Sequence, residues 1–267
     1  MSVPLAGGYT QSSLHVDDRS SSATVNNYHL AVYGGGQLGA WGLRGGAAFT
    51  WHDIDSNRTI AFPGFFDATK ASYGAHTAQA FGEIGRAFAL GYLAAEPFAD
   101  LAYVHFDGNR FTETGGAAAL TGTDDTLGVA FTTLGLRAAT ALAQTGHKPL
   151  TVTGTLAWRH AFGDLTPQTL LTFRDGGAPF TAAGVPIARD SLLVETGLGV
   201  DLTADASIGI TYSGQVGRPR PRRQEQLNLA VLSRSPIVRF RSSSRASSLP
   251  QRQVPPKFLP VSLVCGT

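Results

Sequence analysis

From Trp41 the chain alternates without a break: Trp41, Leu43, Ala47, Phe49 and Trp51 fall on one side of an extended backbone, and Arg44, Ala48, Thr50 and His52 on the other. Period two is the mark of a strand with two unlike faces. A soluble sheet resting on a core shows the same period. Here, however, the apolar row ends in Trp and the opposite row sets a full charge among small residues, which suits a wall between hydrocarbon and enclosed water. The pattern recurs. Val152, Leu156 and Trp158 oppose Thr151, Thr153, Thr155 and Arg159, and Leu134, Leu136 and Leu142 oppose Thr133, Gly135 and Arg137. Leu192, Val194, Leu198, Val200 and Leu202 oppose Glu195, Gly197, Gly199 and Asp201, and Ile208, Ile210 and Tyr212 oppose Gly209, Thr211, Ser213 and Gln215. In EPFADLAYVHF both faces are mixed, and Glu96 and Asp100 take no side from period alone.

Nine strand-like segments follow: Val3–Val16, Val25–Gly36, Gln37–Asp53, Lys70–Ala89, Gly91–Phe106, Thr126–Ala143, Pro149–Phe162, Asp190–Leu202 and Ala206–Val216. Several exceed the 5–6 residues usual in globular sheets, which favours a tall barrel. Short turns alternate with the longer connections Asp55–Thr69, Asp107–Asp125 and Gly163–Arg189, as in an up-and-down antiparallel meander. Turn chemistry is expected at Gly34-Gly35-Gly36, Asp107-Gly108-Asn109 and Asp175-Gly176-Gly177. No run of about eighteen apolar residues exists, which excludes a transmembrane helix on length but not a membrane strand of about 9–11 residues. Met1–Leu5 lacks the basic start and apolar stretch of a secretory signal.

The formal charge of +2 averages two unlike regions. Residues 218–267 hold ten basic side chains and one acid, net +9; residues 1–217 hold 11 basic and 18 acidic, net −7. The division predicts a barrel domain over 1–217 and a disordered or out-of-frame basic tail over 218–267, in which LNLAVL is the one stretch suited to extended pairing. Only Phe240 and Phe258 are aromatic in that tail, so base stacking has little support and no nucleic-acid partner is expected. The one cysteine, Cys265, leaves residues 1–217 free of thiols.

Arg44, Glu83, Arg137, Arg159 and Glu195 are the candidate lumen-facing charges, since charge within a membrane faces a cavity and pairs. Trp41, Trp51, Trp158 and Tyr212 are the candidate interface aromatics. The seven histidines show no zinc-ligand spacing, and no GxSxG elbow occurs. No metal, cofactor or catalytic residue is expected.

The phrases AGGYTQSSLHV, YHLAVYGGGQLGAWGLRGGAAFTWHDID, EPFADLAYVHF, FTTLGLRAAT, WRHAFGD and PIARDSLLVETGLGVDLTADASIGITYSGQ, in this order, resemble the C-terminal β-barrel domain of autotransporters, the type V secretion proteins of the Gram-negative outer membrane. The likeness covers residues 3–216. It implies a twelve-stranded barrel in outer-membrane lipid that supports export of an N-terminal passenger, with a linker helix in the pore and the barrel-assembly machinery as partner. Against that pattern the chain lacks the passenger, the linker and about two strands. It also replaces the family's closing strand with RPRPRRQEQLNLAVLSRSPIVRF, for which a one-base frameshift near Gly217 is the expected cause. An open set of about nine strands is expected not to insert as a stable monomer, because each unpaired backbone group in lipid costs several kcal/mol, so the chain alone is expected to be non-functional. The rival readings are a porin-like channel, separable by conductance, and a soluble lipocalin-like module, which needs an apolar interior.

Overall fold

The structure is a computed structural model. It describes residues 4–16, 21–142, 150–201, 206–218 and 222–233. These residues are all strand and connection: β1 Leu5–Val16, β2 Ser21–Leu38, β3 Trp41–Phe62, β4 Phe65–Arg86, β5 Phe88–Leu90, β6 Leu93–Gly108, β7 Phe111–Thr112, β8 Leu120–Gly122, β9 Asp125–Leu142, β10 Leu150–Gly163, β11 Gln168–Phe173, β12 Phe180–Ala183, β13 Asp190–Asp201, β14 Ala206–Arg218 and β15 Arg222–Ser233. The main sheet is an antiparallel meander ordered β1-β2-β3-β4-β6-β9-β10-β13-β14-β15, with the short β5 beside β6. It curls into a half-barrel. A separate sheet, β12-β11-β8-β7, is built from the two longest connections. Among the described residues the outer edges of β1 and β15 have no partner strand.

Three expectations are corrected. The run Gly34-Gly35-Gly36 is not a turn: β2 continues through it and turns at Gly39, whose φ of 63° supplies the left-handed residue a tight hairpin needs. Asp55–Thr69 is not a loop. β3 and β4 extend toward each other in unbroken register from Asp55↔Ser72 to Phe62↔Phe65, and close through Pro63-Gly64. Pro63 fixes its own φ and Gly64 sits at φ 87°, the pair a type II turn requires, so a polar stretch with the right two residues becomes a hairpin. Of the tail read as unstructured, Arg222–Ser233 instead form β15, giving ten strands in the main path. Its register sets Leu227, Leu229 and Val231 opposite Tyr212, Ile210 and Ile208, within the LNLAVL stretch suited to extended pairing. Residues 219–221 and 234–267, with Cys265, lie outside the described residues.

The outward face of β3 is apolar from Trp41 to Trp51 and polar from Asp53 onward. Ten steps at about 3.3 Å make about 33 Å along the strand, and a tilt near 40° reduces this to about 25 Å across the bilayer, the height of a lipid-facing belt. The rest of the hairpin, Asp53–Gly74, projects beyond that belt.

Candidate functional site: the inner wall

Directly paired residues share a face, so the register carries one face around the sheet. His29 pairs with Thr50 and Thr50 with Thr77; Arg44 pairs with Glu83, Glu83 with Asp100, Asp100 with Thr133, and Thr133 with Arg159. The opposite face carries the half-buried Phe49 and the exposed Leu30, Leu134, Leu136, Leu156, Leu192 and Leu198. Trp41, Trp51, Trp158 and Tyr212 stand on that outer face, between 38% and 46% exposed. Trp41 ends its row beside the Arg86 guanidinium, 5.7 Å from the ring centre, and Trp51 ends it against Phe49. Trp158 donates its indole N–H to Asp190 at 3.1 Å, and His160 contacts the same carboxylate at 2.7 Å.

On the inner face four side chains from β3, β4, β6 and β9 form a crossed lattice. The Arg44 Nη1 donates to Glu83 Oε1 and to Glu96 Oε1, both at 2.7 Å. The Arg137 Nη1 donates to Glu83 Oε1 at 2.9 Å, and its Nη2 contacts Glu83 Oε2. Glu96 pairs in register with Arg137 yet bonds to Arg44, reaching across β4; Arg137 bonds to Glu83, reaching across β6. Each charge therefore spans a strand, and two arginines offset two carboxylates. Glu83 is buried, and a buried carboxylate survives only with such partners. Arg137 also lies 3.8 Å from the centre of the Phe98 ring, a cation–π contact that shields one face of the guanidinium.

Glycine makes the crossing possible. A Cβ on Gly85 would collide with Glu96 Oε1, and one on Gly35 would lie 3.0 Å from the Leu43 carbonyl and 3.5 Å from Arg44 Cγ. The glycine run in β2 is thus the floor beneath Arg44. Of the five charges read from the sequence, Arg44, Glu83 and Arg137 meet in the lattice. Arg159 stands apart on β10, donating to Thr133 Oγ1 at 3.3 Å, with its guanidinium 5.6 Å from the centre of the Phe131 ring. Glu195 stands across Thr155 from Arg137. Period alone gives Glu96 no side because its strand mixes its faces. The structure settles the parity: Glu96, Phe98, Asp100, Ala102 and Val104 are inward, and Leu101 and Tyr103 are outward and exposed.

That mixing has a cause. Ala102, Val104, Leu127, Val129, Phe131 and Ala161 form a buried apolar patch on the inner face, with Phe106, Leu165 and Ile187 packed on it. Leu165 and Ile187 come from the β10–β13 connection, so the inner wall is apolar where the connection folds back upon it. Farther round, Thr10, His29 and Thr50 are linked at 2.9 and 3.0 Å, and Asn27, His52 and Thr77 at 2.6 and 2.8 Å. Beside them an inner cleft of about 320 Å³ is bordered by Ala31, Tyr33, Ala48, Phe81 and Ala102. Among the described residues no group of three or more His, Cys, Asp or Glu side chains could hold a metal ion, and no helix is long and apolar enough to cross a membrane.

An exposed apolar outer face with aromatic ends, a charged and hydrogen-bonded inner face and an antiparallel meander define a transmembrane β-barrel wall of the outer-membrane kind. The family model described as autotransporter beta-domain matches residues 1–213, and the chain belongs to that family. Two proteins of Serratia marcescens, each described as an extracellular serine protease, are 38% and 36% identical to it over 209 residues, covering 78% of this chain and 20% of theirs. The matched stretch is thus about a fifth of the length of these relatives. The translocator domain of autotransporter NalP from Neisseria meningitidis has the same fold, with a TM-score of 0.65 at 14% identity, over 87% of this chain and 75% of that one.

Proposed function

We propose that this chain is the translocating wall of an autotransporter: it sits in outer-membrane lipid and supports passage of a passenger polypeptide to the cell surface. The observation that carries the reading is the division of faces in one sheet. Apolar rows border lipid, while the Arg44–Glu83–Glu96–Arg137 lattice and the His29 and His52 chains offer hydrogen-bonding groups that an unfolded polypeptide can slide past. The inner cleft beside Phe81 gives a seat for the segment that links passenger to barrel. Membership in the family supports the barrel-assembly machinery as the partner that inserts it. The role is transport and carries no catalytic residue; the activity in the Serratia proteins' description belongs to chains about five times the matched length. The test is to place a reporter passenger ahead of this chain in a Gram-negative host. With the outer edges of β1 and β15 paired by added strands, protease-accessible reporter on intact cells and a heat-modifiable band in the outer membrane are the expected results; the chain by itself, with those edges open, is expected to give no such band. A reporter retained inside the cells, with the band present, overturns translocation.

A further inference from the structure

We propose that the tip of the β3–β4 hairpin, residues 60–66, is a lipid-seeking contact that the cell-surface end of the wall presents to the phospholipid bilayer of a neighbouring membrane. This rests on the place of the wall in an outer membrane and goes beyond translocation, which uses the inner face. Residues 59–66 read TIAFPGFF, a run without charge, at the part of the hairpin farthest from the belt. Eleven steps beyond Trp51, at about 3.3 Å each and with a tilt near 40°, lift Phe62 about 28 Å above the belt. The headgroup layer of the barrel's own membrane adds only about 5–7 Å on each side, so the tip stands clear of it.

Both faces of the tip are apolar. Phe62 and Phe65 pair in register and stack, with ring centres 5.0 Å apart and planes at 14°, on the face that Arg58 shares; Ala61 and Phe66 lie on the other. Phe62 is 59% exposed and Phe66 74%. Apolar residues on both faces suit a strand with apolar surroundings on both sides, and an exposed apolar patch of this kind marks a contact with protein or membrane. The charges that flank the run are both engaged. Arg58 donates to Glu113 twice, at 3.2 and 2.6 Å, and to the Ala118 carbonyl at 2.9 Å. The buried Asp67 carboxylate accepts the amides of Gly116 at 3.0 Å and Ala118 at 2.8 Å. These partners belong to the β6–β9 connection, and Arg58 and Asp67 have the parity of Arg44 and Glu83. The stem is therefore fastened on its inner side, and neither charge is left to oppose an apolar medium at the tip.

Size and shape favour lipid over a protein partner. The rings of Phe62 and Phe66, at roughly 200 Å² each, offer about 270 Å² of exposed surface, against about 800 Å² per partner in a stable protein contact. A convex two-residue turn has no hollow to receive a partner, whereas entry into a fluid acyl layer needs apolar area and no matching shape. The ladder sets the depth. Tipward of Arg58 and Lys70 neither strand has a further partner strand among the described residues, so the ribbon is two-stranded and its outer-edge amides need water. The backbone therefore stays among headgroups, while the rings of Phe62, Phe65 and Phe66 dip about 5–10 Å toward the acyl chains.

The experiment uses the full chain, with its β1 and β15 edges paired by added strands, in lipid nanodiscs, and reads capture of neutral phosphatidylcholine vesicles. Phe66→Ser should weaken capture about tenfold, and Phe62→Ser with Phe66→Ser about a hundredfold, with the heat-modifiable band unchanged. Phe66→Trp should keep capture intact, and about 1 M salt should leave it unaltered, since no charge takes part. In a Cys265→Ser background, an environment-sensitive fluorophore attached at Phe66→Cys should shift to the blue only when vesicles are added. No capture by the parent chain, capture that ignores both serine variants, or capture abolished by salt overturns the contact. A blue shift already present without vesicles overturns it too: one that grows with disc concentration makes the tip a contact between copies, and one independent of it seats the tip in the barrel's own lipid. Capture that follows the rings while an upstream reporter passenger stays inside cells would leave the tip standing and sink the translocator reading alone.

Discussion

Two arginine–carboxylate constellations on one face of this sheet do different work. The lattice of Arg44, Glu83, Glu96 and Arg137 lies within the belt and ties four neighbouring strands. The Arg58–Glu113 clasp lies beyond the belt and ties a strand to a connection 55 residues later in sequence. In the first, every partner is already held in register by the sheet, so the charges add little ordering and are present because buried charge needs an offset. In the second the charges themselves decide whether a segment stays in place. The same chemistry ties strand to strand in one setting and fastens a connection to the wall in the other, and depth in the membrane separates them.

The sharpest way to break the comparison is Glu83→Leu. It leaves Arg137 without its carboxylate and Arg44 with only Glu96, and should cost about 1–3 kcal/mol, the range for losing bonds to a partly exposed charge. Loss of the heat-resistant folded band on gels is the measurement; a band of unchanged resistance would place the lattice in open water. Next is Gly85→Ala, which pushes Glu96 off Arg44. Overpacking of this sort costs about 1–3 kcal/mol in urea titrations, and the cost should shrink when Glu96→Ala accompanies it, because the two positions share one contact.

Beyond the belt, Arg58→Met strands the buried Glu113 carboxylate and should speed proteolytic nicking of residues 109–124 far more than it lowers the urea midpoint of the wall, since the loss is local. Equal effects on both readouts would mean that clasp and lattice belong to one cooperative unit. Acid offers a milder test. The amides of Ala118, Gly116 and Ala68 hold the Asp67 carboxyl below the ordinary value of 3.8. A depressed carboxyl contributes stability that is fully present above its unfolded value and is lost as the pH falls through the folded one. Nicking of residues 109–124 should therefore rise in acid below pH 3.8, and Asp67→Asn should flatten that rise. The smallest effect is expected from spin labels at Leu136 and Leu198, which should leave the fold intact and be quenched by lipid-soluble reagents. Quenching only by water-soluble ones would reverse the two faces.

How much was legible in the sequence follows from this geography. Within the belt, hydrocarbon on one side enforces strict alternation, so Arg44, Arg137 and the rows of Leu134 and Leu198 could be read from period two alone. Glu96 could not, because its strand also carries the apolar patch under Leu165 and Ile187, two residues more than sixty positions away. The stretch from Asp55 to Thr69 reads as loop because both its faces meet polar surroundings, leaving only Pro63-Gly64 to betray it. The run Gly34-Gly35-Gly36 reads as a turn until its cross-strand partner Arg44 is seen above it. Hydrophobic period reports the solvent at each face, and it falls silent where protein packs on protein.

The Pro63-Gly64 turn has a practical sequel. It joins two strands paired along their whole projecting length, Gly64 has nothing within 4 Å of where its Cβ would be, and Phe62 stacks on Phe65 at 5.0 Å directly behind it. A foreign peptide grafted there would be carried about 35 Å along the hairpin from Trp51, at roughly 3.3 Å per residue, without disturbing a single rung below. This knuckle is where an epitope tag or a fluorophore could watch the molecule on living cells.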